Sequence, residues 1–231
     1  MPQLIRYDRL EKLNILWTIF DWKRLLSSTQ EGSVMTQTTR SRLTLEEFLT
    51  YDRNKDTRYE LVDGVLVEMG TESTINLIIA GFLFAAFLQS GIPPYRIGFK
   101  QWIVVSSAAV TARDPDLIIH SEASFAAIEQ SSQALILSDA PPPLLVIEIV
   151  SPGEPGEANY ERDYVEKRRE YAARGIPEYW IIDPTRQMTI VLSLEREAYQ
   201  EIGQFRENAP ILSPTFPIIQ LTTQQILNAG R

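Results

Sequence analysis

The chain has 231 residues and a formal net charge of −8, so it carries no general electrostatic attraction for nucleic acid. Hydrophobic residues make up 44% of the sequence, which is enough to build a packed core and excludes a chain that is disordered throughout. The absence of cysteine excludes disulfides, thiolate metal sites and cysteine nucleophiles, and it fits a reducing, cytoplasmic location.

The N-terminal region lacks the features of a secretory signal. Its apolar stretch, residues 13–20, is followed at once by Asp21, and no small-residue cleavage site is evident. A second methionine, Met35, precedes the first segment with a globular pattern. We therefore expect residues 1–34 to be an extension, either poorly ordered or translated from upstream of the native start, and residues 35–231 to form a single domain.

The first half of this domain shows helix and hairpin signals. Thr44 followed by Glu47 forms a capping box, which is typical of a helix start. The Asp63-Gly64 pair between alternating apolar residues predicts a tight hairpin. The apolar run 75–88 is too short to span a membrane and predicts a core helix. The elements predicted here are a helix after Thr44, a hairpin over 58–69, a helix from about 73 to 89 and a strand from about 95 to 106.

The second half begins with two apolar, β-branched strands that each carry a carboxylate. Asp116 opens the first strand, and Glu148 lies near the end of the second. The predicted elements are strands over 116–120 and 142–150, helices over 124–130 and 160–174, and strands over 178–184 and 188–194. Helices that alternate with strands around a central sheet predict an α/β or α+β fold.

Asp116 and Glu148 are the first candidates for a functional site. A carboxylate in a buried strand is costly unless a cation or hydrogen bonds offset it. If the two strands are neighbours, the carboxylates converge in an oxygen-rich site suited to Mg²⁺ or Mn²⁺, to which the Ile149 carbonyl could add a ligand. Such a site could activate water and neutralise charge on a phosphate. The alternative is that each carboxylate ends its strand and meets solvent or a helix N-terminus.

Lys167 is the third candidate, because it lies on one helix face with Tyr164 and Tyr171. That face should pack on the sheet, so the lysine could reach the carboxylates and orient an attacking water or balance charge. The alternative is a lysine whose stem covers apolar surface while its ammonium reaches solvent. The same helix carries three candidates for phosphate contacts, namely Arg162, Arg168 and Arg169.

Glu60 and His120 complete the set of residues considered. Strand alternation places Glu60 on the face opposite Tyr59 and Leu61. An inward Glu60 could be a further ligand or could support the site, whereas an outward one would be ordinary hairpin surface. His120 is the only histidine, which excludes a metal site built from several histidines.

A series of motifs runs in order from about Leu43 to the C-terminus. They are Tyr59–Gly64, Pro115–Leu117, Val146–Pro152, the trio Asp163, Lys167 and Tyr171, and Gly175–Pro184. This series resembles the Uma2 family of PD-(D/E)XK endonucleases, which is abundant in cyanobacteria. Residues 1–34 lie outside the resemblance.

The resemblance implies a restriction-endonuclease-like core, in which helices flank a mixed central β-sheet. It implies that Asp116 and Glu148 bind the metal and that Glu60 is a further acidic residue of the site. The wider superfamily has lysine two positions after the glutamate, where this chain has Val150. Lys167 matches the lysine that Uma2 proteins carry on the following helix. The implied catalytic set is therefore Glu60, Asp116, Glu148 and Lys167.

The function expected from these residues is that of a Mg²⁺-dependent endonuclease that hydrolyses phosphodiester bonds of nucleic acid, with DNA as the favoured substrate. A homodimer, in which two sites meet two strands, is expected, and membrane association is not. Two alternatives stay open. One is a catalytically inactive module for nucleic-acid binding or protein assembly, which the acidic charge and Val150 favour. The other is a metal-dependent hydrolase of another phosphate ester.

Overall fold

In the computed structural model, the described part of the chain comprises residues 42–52, 59–70, 73–105, 110–131 and 133–229. The expectations for residues 1–34 fall outside this part. None of the helices in the described part is long and apolar enough to cross a membrane.

The described residues form strands and helices in the following order. The strands are β1 (Tyr59–Val62), β2 (Val65–Glu68), β3 (Ile97–Gly98), β4 (Trp102–Val105), β5 (Thr111–Arg113), β6 (Leu117–Ile119), β7 (Leu135–Ile136), β8 (Leu145–Ile149), β9 (Glu178–Asp183), β10 (Met188–Glu195) and β11 (Ala198–Phe205). The helices are α1 (Leu45–Asp52), α2 (Thr74–Gln89), α3 (Glu122–Ile128), α4 (Ala158–Tyr160), α5 (Lys167–Ala173) and α6 (Thr223–Leu227), with a 3₁₀ turn at Pro94–Arg96 and a π-helical turn at Glu161–Glu166.

The first sheet has five strands in the order β2-β1-β5-β4-β7. Its β1–β2 hairpin is the one that the Asp63-Gly64 pair predicts. Asp63 has a φ of 49° and Gly64 a φ of 76°, the left-handed values that a two-residue hairpin turn requires. Strand β1 also pairs antiparallel with β5, with Leu61 opposite Ala112. This pairing brings Glu60 and Arg113 into one neighbourhood.

The second sheet has six strands in the order β11-β10-β9-β8-β6-β3. Strands β8 and β9 are parallel, whereas β6 and β8 are antiparallel neighbours with Leu117 opposite Ile147. Every residue of β8 is buried, as its continuous apolar run predicts. The architecture is thus a mixed α+β fold, in which the expected mixed sheet is accompanied by a second one.

Each face of β8 packs against a different helix. Ile147 and Ile149 lie in a cluster with Ile79 and Leu83 of α2. The opposite face contributes Val146 to a second cluster, which includes residues of α5. Helix α2 starts where the sequence predicts. Ser73 is its N-cap, and the Ser73 hydroxyl accepts a hydrogen bond from the Ile75 amide. The second sheet is therefore covered on both sides and forms the centre of the core.

The segment that leads into α5 is helical but irregular. Six residues, Glu161–Glu166, form a π-helical turn between α4 and α5. The helix ends where its stop signals predict, since Gly175 has a φ of 76° and the Ile176 amide donates to the Tyr171 carbonyl. A π turn inserts an extra residue and so changes which side chains share a helix face.

Several parts of the secondary structure differ from the prediction. The strand expected over 95–106 is a 3₁₀ turn followed by β3 and β4, which belong to different sheets. Lys100 between them has a φ of 51°, a conformation that interrupts a strand. Strand β11 was not predicted, because four of its eight residues are polar or glycine and do not alternate regularly with apolar ones.

Candidate active site

Asp116 and Glu148 lie on adjacent strands, as the metal-site prediction requires. Leu117 pairs with Ile147 across β6 and β8, so Asp116 and Glu148 are at opposing positions of the same ladder. The Asp116 carboxylate accepts a hydrogen bond of 2.6 Å from the Ile149 amide. Glu148 is 4% exposed. The two carboxylates therefore lie side by side, with Glu148 buried and Asp116 partly buried.

Lys167 enters this site from α5. Its ammonium lies 2.9 Å from Oε2 of Glu148, 3.2 Å from Oε1 of Glu60 and 3.3 Å from Oδ1 of Asp163. The lysine side chain is 1% exposed, so the alternative of an ammonium that reaches solvent is wrong. Burial acts to lower the pKa of Lys167, but the negative charges of Glu148, Glu60 and Asp163 outweigh it and raise that pKa. The residue is thus a buried cation at neutral pH.

Glu60 is the second buried partner of Lys167, and it points inward from β1. Its Oε2 accepts from Arg113 at 2.9 Å, and its Oε1 accepts from the Asp114 amide at 3.1 Å. Burial acts to raise the pKa of Glu60, yet the charges of Lys167 and Arg113 prevail and lower it to about 2. Glu60 is therefore ionised and holds Lys167 in place.

Arg113 connects the first sheet to the helix that carries Lys167. Its guanidinium donates through Nε and Nη2 to the two oxygens of Glu170, at 2.7 and 2.9 Å, and also contacts Glu166 at 3.0 Å. The side chain is 1% exposed. A two-point arginine–carboxylate pair of this kind fixes orientation as well as distance. Arg113 thus sets the position of α5 relative to Glu60.

Tyr171 lies one turn after Lys167 and donates a hydrogen bond of 2.8 Å to Oε1 of Glu148. Burial raises the pKa of Glu148 to about 8, and the negative charge of Asp116 acts in the same direction against the opposing effect of Lys167. A cation bound beside Glu148 would oppose this shift, because positive charge favours the ionised carboxylate.

A cavity of about 140 Å³ opens onto these residues. The side chains that line it include Asp116, Glu148, Asp163, Lys167, Arg162, Asn159 and Asn76. The Ile149 carbonyl also faces the site and accepts a hydrogen bond of 2.9 Å from the Asn76 amide. The cavity is thus lined by acidic oxygens with two cationic side chains among them.

The donor set can be tested against a divalent cation. Two carboxylates and a backbone carbonyl are hard oxygen ligands, and Mg²⁺ is usually held by one or two carboxylates together with water. Among the described residues, no group of three or more histidine, cysteine, aspartate and glutamate side chains is arranged to hold a metal. The described residues therefore form no all-protein cage, and a cation here would be held by Asp116, Glu148 and the Ile149 carbonyl together with waters.

The structure brings Glu60, Asp116, Glu148 and Lys167 together, but it separates the three arginines of the helix. Arg162 lines the cavity, whereas Arg168 donates to the Tyr199 carbonyl at 3.1 Å and Arg169 is exposed. His120 does not line the cavity. Its two ring nitrogens form hydrogen bonds of 2.7 Å with the Ser124 hydroxyl and with Oε1 of Gln101.

Sequence reasoning did not find the roles of Arg113, Glu166 and Glu170. Both glutamates contact Arg113. One signal in the sequence did point to the ion pairs of this helix, because the spacing of Asp163 and Lys167 allows an i,i+4 pair. Arg113 itself precedes Asp114-Pro115 and has no distinguishing pattern.

The mixed α+β fold, in which helices flank a central sheet, is that of a restriction-endonuclease-like protein. The chain belongs to the Uma2 family, since the model of that family, described as "Putative restriction endonuclease", matches residues 45–224.

A solved structure supports the fold assignment. The chain is similar to a protein described as "a putative nuclease belonging to DUF820" from Anabaena variabilis, with 16% sequence identity and a TM-score of 0.61. The similarity covers 82% of this chain and 99% of that chain. At this identity the likeness concerns the fold alone. No curated protein matches the chain.

Proposed function

We propose that this protein is a Mg²⁺-dependent endonuclease that hydrolyses phosphodiester bonds of nucleic acid, with DNA as the substrate. The observation that carries the proposal is the buried Lys167 ammonium, 2.9 Å from Glu148 at a cavity that Asp116 also lines. A divalent cation held by these two carboxylates would activate a water and neutralise charge on the phosphate, which phosphodiester hydrolysis needs. A nuclease acting on the cell's own or incoming DNA works in the cytoplasm, and that location is part of the proposal.

In this proposal, Asp116, Glu148 and the Ile149 carbonyl hold Mg²⁺ or Mn²⁺. When bound, the ion would lower the pKa of a water and neutralise charge that develops on the phosphate. The Ile149 amide orients Asp116 through its hydrogen bond of 2.6 Å. Tyr171 orients Glu148 by donating to Oε1, which leaves Oε2 toward Lys167.

Lys167 acts as a fixed positive charge in this proposal and not as a general base. Its pKa is raised, against the effect of burial, by Glu148, Glu60 and Asp163, so it keeps its proton at neutral pH. A protonated lysine orients the attacking water and stabilises negative charge on the phosphate oxygens. Glu60 and Asp163 hold the ammonium in position, and Arg113 holds Glu60.

A second function is favoured by one specific observation. The three ammonium protons of Lys167 face three carboxylates, and both oxygens of Glu148 already have partners within the protein. A site that is satisfied internally in this way suits a nuclease-fold module that binds nucleic acid or another protein without cleaving it. The two functions differ in whether a divalent cation reorganises these contacts.

The test is cleavage of supercoiled plasmid DNA, linear DNA and RNA in the presence of Mg²⁺, with EDTA as a blank. The wild type, Asp116→Asn and Lys167→Met are purified identically, together with Asp139→Asn, which changes an exposed aspartate outside the cavity. The endonuclease function predicts cleavage by the wild type and Asp139→Asn that both site variants lose. Equal cleavage by all four would reveal a contaminating nuclease and contradict the proposal.

We also propose a homodimer. Helix α2 supports it, because Leu77 and Ile78 are 49% and 43% exposed on a helix without charged residues. Light scattering over a range of protein concentrations tests this state. A monomer at all concentrations, with or without DNA, would contradict it.

A further inference from the structure

The cavity contains two cationic side chains, and they differ in what they can still bind. Lys167 has three N–H donors, and all three face carboxylate oxygens at 2.9 to 3.3 Å. Its side chain is 1% exposed. Lys167 can therefore reach a substrate only by giving up one of these contacts. The other cation, Arg162, is 18% exposed and lines the same cavity.

Arg162 is held rigidly but is not saturated. Its Nε and Nη2 donate to the two oxygens of Asp163, each at 2.9 Å, and Nη1 donates to Oδ1 of Asn159 at 3.2 Å. A guanidinium carries five N–H groups, so these three bonds leave two without a partner among the described residues. One of those donors is on Nη1 and the other is on Nη2, and guanidinium N–H groups are well suited to phosphate oxygens.

The surroundings of Arg162 fix its direction before any ligand arrives. Asn159 donates to the Pro152 carbonyl at 2.9 Å, which ties the arginine to the loop after β8. The backbone carbonyl of Asp163, the partner of Arg162, accepts a hydrogen bond of 2.8 Å from the Tyr179 hydroxyl, which connects this segment to β9. A side chain that is already immobilised loses little entropy when it binds, so each new hydrogen bond contributes more to affinity.

We propose that Arg162 is the residue that contacts a backbone phosphate of the nucleic acid beside the metal site, and that Asp163 and Asn159 are the residues that position it. This inference rests on the proposed function. It also explains how a chain with a net charge of −8 could bind a polyanion locally, since Arg162 presents positive charge next to the carboxylates.

A purely structural role for Arg162 predicts something different. An arginine that only pairs with Asp163 would affect stability, whereas a phosphate contact affects DNA affinity and its salt dependence. Replacing one phosphate-contacting residue weakens binding and lowers the salt slope by about 1. The salt slope therefore separates the two roles.

The experiment measures binding of a fluorescent DNA duplex by anisotropy in Ca²⁺, over a series of salt concentrations, for the wild type, Arg162→Gln, Arg162→Lys and Arg196→Gln. Arg196 is an exposed arginine of the β10–β11 turn and does not line the cavity. Cleavage in Mg²⁺ is measured on the same samples, and thermal unfolding checks that each variant is folded.

We expect Arg162→Gln to bind about tenfold more weakly with a smaller salt slope. Arg162→Lys should keep the slope but lose part of the affinity, and Arg196→Gln should match the wild type. A folded Arg162→Gln that binds with the affinity and slope of the wild type overturns the phosphate contact while leaving the nuclease function intact. A wild type that neither binds nor cleaves overturns both. If Arg162→Gln does not fold, Arg162→Lys decides, because unchanged affinity in that variant contradicts two-point contact.

Discussion

The Nζ atom of Lys167 lies 2.9 Å from Oε2 of Glu148, and both side chains are almost completely buried. The lysine comes from α5 and the glutamate from β8, so the pair joins a helix to the central strand of the second sheet. The position two residues after Glu148 is Val150, which is itself buried in an apolar cluster. The buried cation beside Glu148 is therefore supplied by the neighbouring helix and not by the residue two positions further along the strand.

Replacing Lys167 by methionine should destabilise the protein strongly. The substitution leaves Glu60, Glu148 and Asp163 buried without their common cation, and loss of one partner of a buried ion pair costs about 3–5 kcal/mol. Urea unfolding at pH 7 measures this change. Lys100→Met is the matched control, because Lys100 is exposed and the same atoms are removed. A loss below about 1 kcal/mol for Lys167→Met, similar to the control, would contradict the ion-pair network.

Glu60 should give the protein a specific acid sensitivity. Its folded-state pKa is about 2 against an ordinary value of 4.5, so its stabilising contribution is present above pH 4.5 and is lost as pH falls toward 2. In urea unfolding, the free energy difference between wild type and Glu60→Gln should shrink by about 3 kcal/mol across that window. A difference that stays constant with pH would mean that Glu60 is not ionised beside Lys167 and Arg113.

Tyr171→Phe tests the hydrogen bond that the Tyr171 hydroxyl donates to Glu148. The substitution removes the hydroxyl that donates a hydrogen bond of 2.8 Å to Oε1 of Glu148, and it leaves this buried oxygen without that donor. We expect the free energy of unfolding to fall by about 1–2 kcal/mol. Tyr95→Phe, at a tyrosine that is 49% exposed, should leave stability unchanged within about 0.5 kcal/mol. The idea fails if the two variants have the same stability.

His120 should remain neutral well below its ordinary pKa. Burial, together with the positive charge of Arg96, lowers the pKa of His120 from 6.5 to about 4. Since the folded protein resists protonation, this residue's contribution to stability is present above pH 6.5 and declines as pH falls toward 4. Because the chain has a single histidine, NMR titration gives one imidazole signal to follow. An inflection near pH 6.5 in the folded state would contradict the buried position.

Much of the site could be predicted because its residues interrupt clear local patterns. Asp116 and Glu148 stand out as charges in apolar strands, and Lys167 stands out on a helix face that also carries Tyr171. Strand alternation leaves the direction of Glu60 open, and the structure shows that this side chain points inward and is buried. Strand and helix periodicity is enough to select Asp116, Glu148 and Lys167, whereas the role of Glu60 comes from the family resemblance.

The remaining residues depend on long-range pairing that no local pattern records. Arg113 reaches Glu60 because β1 pairs with β5 across a long sequence separation. Glu166 and Glu170 contact Arg113. A face argument that considers one sheet misses these glutamates, because their helix contacts residues of both sheets. The π-helical turn also shifts the helix face in a way that regular periodicity does not predict.

The proposed divalent-cation site at Asp116 and Glu148 is tested most directly by calorimetric titration with Mn²⁺. The proteins compared are the wild type, Asp116→Ala, Glu148→Ala and Asp139→Ala, with thermal unfolding to establish that each is folded. The account predicts that the wild type and Asp139→Ala bind Mn²⁺ and that the two site variants do not. Absence of binding by the wild type, or unchanged binding by folded Asp116→Ala and Glu148→Ala, would contradict it.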